Sequence, residues 1–137
     1  MILIACVDDN GGLAFNHRRQ STDCIVRERI LELTKDGKLW MNHYSFKQFE
    51  EYDAGQINAS EEFLNEATTG DYCFVEDVRV GDYAQWVERI ILFRWNRSYP
   101  YDLEFDINLQ KSIWSLETKE EFSGNSHEKI TMEVYVR

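Results

Sequence analysis

The 137-residue chain suits one domain, 1–137, long enough to bury a sizeable core without disulfide or metal staples. Its 43% hydrophobic and 14% aromatic content sets disorder aside. A formal charge of −10 with only 15 Lys and Arg argues against nucleic acid or membrane as partners, since both demand a broad basic face. Cys6, Cys24 and Cys73 are odd in number and follow no Cys-x-x-Cys pattern, so neither a disulfide framework nor a zinc knuckle is expected. The opening MILIACV lacks the basic flank of a signal peptide, and no run reaches membrane-spanning length, so the expected location is the cytoplasm.

Residues 1–7 are continuously apolar, the pattern of a strand covered on both faces. DDNGG at 8–12 is turn chemistry. Ile25, Val26, Ile30 and Leu33 recur at helical spacing behind Ser21-Thr22-Asp23, which predicts a capped helix over 23–35, ended by Asp36-Gly37. LWM marks a strand within 38–42. Ser45 with Gln48 forms a capping box for a helix over 46–52, and Asn58 with Glu61 forms another for a helix that runs to Gly70. YCFV at 72–75 reads as a buried strand within 71–76, residues 82–88 as a brief helix, and RIILFRW at 89–95 as the next strand.

Past Pro100 the period changes. Leu103, Phe105 and Ile107 alternate with charges, as do Ile130, Met132, Val134 and Val136, which is the half-solvated pattern of antiparallel strands. Strands are expected over 102–107, 113–118 and 129–136. The whole is an α/β fold, with a parallel core of strands extended by antiparallel C-terminal strands and flanked by helices.

In this order IACVDDNGG, KLWMNHYSFKQF, DYCFVED, YAQWVERIILFRW, YDLEFDI and WSLETKEEFSGNSHEKITMEVYVR resemble successive segments of the dihydrofolate reductases, the tail most closely. The resemblance implies the dihydrofolate reductase-like mixed sheet. It also implies roles at matching positions. Asp23 matches the acidic residue that holds the pterin edge and helps supply its proton, although the preferred reading of the bare residue is a helix cap. Where the family reads Gly-Arg-x-Thr, with the arginine on the cofactor's phosphates, this chain reads Asn42, His43, Tyr44 and Ser45. Only the hydroxyl survives.

Other departures bear on the cofactor. The family's adjacent glycines under the pyrophosphate are replaced by Glu76 and Asp77, which repel an anion. The stretch between Phe49 and Ser60 reads as too short and too polar for the extra strand beside the adenosine. NADPH is therefore not expected as a cofactor. The lid loop has lost its Leu-Pro-Trp and carries His17, Arg18 and Arg19. With Arg27 and Arg29 these form the one basic segment of an acidic chain, either a solvated face or an anion site.

His17, His43 and His127 are dispersed, and no His-Glu-x-x-His occurs, so no metal site is expected. Short bacterial proteins that resemble this one sometimes carry a ribonuclease Z label, which implies a zinc enzyme that neither the residues nor the charge supports. Three readings remain. The first is a reductase-fold protein without folate reductase activity that binds a small anionic ligand or a protein partner, with His17, Arg18, Arg19, Asn42, His43 and Ser45 as ligand-binding candidates. The second is an enzyme on another small substrate with Asp23 as acid or base. The third is an assembly subunit using Trp40, Trp95, Tyr99 and Tyr101 as contact surface.

Overall fold

Alternate side chains of the N-terminal apolar run point to opposite sides of a sheet, and both sides are buried. In the computed structural model, which describes residues 1–111 and 113–137, β1 (Ile2–Val7) sends Leu3, Ala5 and Val7 into one core and Ile4 into a second. A strand flanked this way has no polar face to offer, which is why its sequence does not alternate.

The remaining elements are β2 (Gly12–Phe15), β3 (Arg18–Arg19), α1 (Cys24–Leu33), β4 (Leu39–Met41), α2 (His43–Phe46), β5 (Ile57–Ala59) and α3 (Phe63–Glu66). They continue with β6 (Tyr72–Val75), β7 (Arg89–Arg94), β8 (Leu103–Glu104), β9 (Ser115–Phe122) and β10 (Ile130–Val136). The main sheet has the order β5-β4-β6-β1-β7-β10-β9. Its first five strands pair in parallel, and β10 and β9 add antiparallel.

One core face carries α1, whose Val26 and Ile30 pack with Ile4, Phe74, Ile91 and Phe93. The other is covered by Leu13 and Ala14 of β2, Phe63 and Leu64 of α3, and by Val80, Val87, Ile107 and Trp114. The outer edge, β9, is exposed along most of its length and carries Glu117, Lys119, Glu120 and Glu121. Charges of this kind keep an open edge from pairing with another chain.

The structure departs from the sequence reading in several places. A strand does occupy the stretch judged too polar: β5 pairs with β4, where it shields the outer side of that strand and takes the residues assigned to a helix start at Asn58. The helix to Gly70 shrinks to one turn, α3. The helix expected over 46–52 starts earlier, because Asn42 rather than Ser45 is the cap, its Oδ1 accepting from the Ser45 N–H at 3.0 Å. That helix tightens into a 3-10 turn at Lys47–Phe49, and Gly81–Trp86 is likewise 3-10.

The segment 102–107 does not join the main sheet. β8 pairs with β2 in a separate three-stranded sheet, and Asp106 turns aside to accept from the Val80 and Gly81 N–H groups at 2.8 and 3.0 Å. The strand expected at 113–118 runs Ser115–Phe122. The supposed loop AFNHRRQ is a hairpin, with Asn16 and His17 at φ of 52° and 62° making the turn between β2 and β3.

Candidate functional site

The C-terminal ends of β1, β4 and β6 are where an open α/β sheet collects ligands, and most of the candidate residues lie around them. Arg19, on β3, crosses to the end of β6. Its Nε and Nη2 donate to the two oxygens of Glu76 at 2.8 and 3.0 Å. The guanidinium also lies 4.1 Å from the centre of the Tyr44 ring and donates to the Tyr44 carbonyl at 3.2 Å. Gln48 donates to Glu76 as well, at 2.8 Å. The basic segment is thus drawn onto the start of α2, but its arginine fork is filled by a carboxylate of the same chain.

The two neighbouring positions follow the same pattern. Asn42, buried, donates from Nδ2 to Asp77 Oδ1 at 2.9 Å. His43, exposed, gives its backbone N–H to Glu61 Oε2 at 2.9 Å, and its ring Nδ1 lies 2.9 Å from the same oxygen. Ser45 is buried, and its hydroxyl has no hydrogen-bond partner among the described residues. Arg18 is exposed at the hairpin.

Asp23 does not stand in the same cluster as a free acid. Its side chain is fully buried and caps α1 through the Ile25 N–H at 2.9 Å. The same carboxylate accepts from the backbone of Asn125 and Ser126 at 3.1 and 2.9 Å, and His127 Nδ1 lies 3.3 Å away. Burial alone would raise its pKa. The donors of Asn125 and Ser126, with His127 and Ile25, outweigh that and hold it at about 2. A carboxylate this well satisfied is a strut between α1 and the β9–β10 turn, and a poor proton donor near neutral pH.

His127 completes that strut. It stacks on Trp95 with ring centres 4.4 Å apart, and its Nε2 is 3.0 Å from the Tyr99 hydroxyl. Trp95 therefore belongs to the core rather than to a contact surface. Trp40 and Tyr99 are half-buried, and of the four aromatics assigned to a surface only Tyr101 is exposed. Burial pushes the Cys6 thiol well up, the Glu76 and Asp23 carboxylates adding to the effect and Arg19 opposing it.

His17 stands apart from the other candidates. It lines a cavity of about 390 Å³ between the hairpin tip and the segment after β6, together with Ala14, Asp77, Arg79, Asp102 and Leu103. Arg79 and Asp102 carried no signal in the sequence, because only folding brings 79 and 102 to the hairpin. Among the described residues no three His, Cys, Asp or Glu side chains converge as metal ligands. Among the described residues no helix is long and apolar enough to cross a membrane.

No family model matches the sequence, and no curated protein is similar to it at the sequence level. In three dimensions the chain is similar to dihydrofolate reductase from Enterococcus faecalis complexed with NADP(H) and RAB-propyl. The TM-score is 0.68 and the identity 14%, over 99% of this chain and 95% of that one. The sheet order, the parallel core and the antiparallel C-terminal strands are thus those of the dihydrofolate reductase-like fold.

Proposed function

We propose that this chain uses the dihydrofolate reductase-like fold to bind a small charged ligand and does not reduce folate with NADPH. The observation that carries the reading is the internal pairing at the strand ends, where Glu76 fills the fork of Arg19, Asp77 takes Asn42, and Glu61 takes the first N–H of α2. A dinucleotide phosphate seated there would need to displace one carboxylate and lie beside others. Each charge-assisted contact is worth about 1.5–3 kcal/mol. Losing two of them and adding the repulsion of the carboxylates is enough to move a micromolar ligand past millimolar, a change of about 4 kcal/mol.

The test is a titration of the intact chain with NADPH, followed by thermal unfolding and by a dihydrofolate reduction assay. No thermal stabilisation up to about 1 mM NADPH and no turnover are expected. Saturable NADPH binding below about 100 μM would overturn the reading and return a nicotinamide-dependent enzyme to first place.

A further inference from the structure

We propose that the cavity under the hairpin tip is a binding site for a small zwitterion of the α-amino-acid class, a proposal that rests on the ligand-binding reading above. The cavity, about 390 Å³, has the size of a small-molecule site. Its apolar floor is Ala14 and Leu103, and its polar rim is His17, Asp77, Arg79 and Asp102.

Around the start of α2, opposite charges or complementary polar groups have found each other: Arg19 with Glu76, Asn42 with Asp77, His43 with Glu61. Arg79 lines the same cavity as two aspartates, yet among the described residues it pairs with no carboxylate. Each aspartate is fixed through one oxygen and keeps the other. Asp77 uses Oδ1 for Asn42 at 2.9 Å, and Asp102 uses Oδ2 for the Asn16 N–H at 3.1 Å. Asp77 Oδ2 and Asp102 Oδ1 accept from no donor among the described residues.

The lining therefore offers a guanidinium and two carboxylates, each anchored through one oxygen, with no ion pair between them among the described residues. A simple anion would meet Arg79 and be repelled by the aspartates, and a simple cation would meet the reverse. A ligand that carries both charges a few bonds apart satisfies all three. Its carboxylate takes the planar fork of Arg79, and its ammonium donates to Asp77 and Asp102. His17, on the turn, lines the same space.

The probe is L-methionine, compared with N-acetyl-L-methionine, which lacks the ammonium, and L-methionine amide, which lacks the carboxylate. Binding is read from backbone amide shifts of the ¹⁵N-labelled chain. Saturable shifts at 14–17, 77–79 and 102–103 are expected within about 10 mM L-methionine, with either derivative at least about tenfold weaker. Arg79→Gln changes an exposed side chain and leaves the fold intact. It should weaken L-methionine to the level of its amide. Asp102→Asn should do the same toward the N-acetyl derivative. Absence of saturable shifts, or equal binding of all three probes, would overturn the site. Shifts centred elsewhere would remove the site while leaving a ligand-binding protein, and saturable NADPH binding would instead remove the reading beneath it.

Discussion

Asp23 and His127 lie 104 positions apart in the chain and 3.3 Å apart in the fold, with side chains only 0% and 2% exposed. Their contact fastens the start of α1 to the turn before β10, and so ties the first helix to the last strand. The pKa of about 2, below the ordinary 3.8, makes the contact a stability device. A depressed carboxylate stabilises the fold at every pH above its unfolded value and loses that contribution as pH falls through its folded value. Asp23 should contribute about 2 kcal/mol above about pH 4, lost on descent toward pH 2. Asp23→Asn should flatten that part of the stability curve measured by urea unfolding. An unchanged acid limb would contradict the assignment.

Gly124 is the residue that lets this contact form. A Cβ there would run into the Asp23 carboxylate and come within 2.7 Å of Ile130 Cδ1. Gly124→Ala should cost about 1–3 kcal/mol by overpacking. Combined with Asp23→Ala, which removes the obstructing oxygens, the loss should be smaller than the sum of the two single changes, a coupling readable by a double-mutant cycle. Strict additivity would mean that the two residues do not press on each other.

The Arg19–Glu76 pair makes a different prediction. Glu76 is 8% exposed and Arg19 21%, so removing the carboxylate leaves a half-buried guanidinium with weaker partners. Glu76→Gln should lower stability by about 2–3 kcal/mol, seen as a shifted urea midpoint with an unchanged slope. A loss under about 0.5 kcal/mol would place the pair among surface ion pairs of little consequence.

The thiols should separate by reactivity. Burial drives Cys73 up to about 12 and holds Cys6 well above the ordinary range, and the thiolate is the reactive form. Cys24 and Cys6 are both half-buried, and Cys73 is buried. At mildly alkaline pH one thiol per native chain should react with a disulfide reagent, and mass mapping should find it at Cys24. Cys6, held protonated, should react more slowly, and Cys73 only at the rate of unfolding. Prompt labelling of Cys73 would show that β6 opens far more readily than its place beside β1 implies.

Sequence alone determined the parts whose cause is local. The apolar runs of β1, β6 and β7, the helical spacing from Val26 to Ile30 and the alternation from Ile130 to Val136 each state which face is buried, so the mixed sheet and its change of direction were legible. Asp23 as cap of α1 was legible for the same reason. What only the tertiary structure decided depends on partners distant in the chain. Whether Asp23 was an acid or a strut depended on Asn125, Ser126 and His127. Whether Arg19 was free depended on Glu76, and whether Asn42 or Ser45 capped α2 depended on how β4 delivered the chain. β5 was hidden because its pairing edge belongs to β4, and the rim of the hairpin cavity was hidden because residues 79 and 102 reach it only once two sheets have formed. Burial periodicity is written residue by residue, but charge pairing is settled by proximity in space, and it is charge pairing that decides what this site can hold.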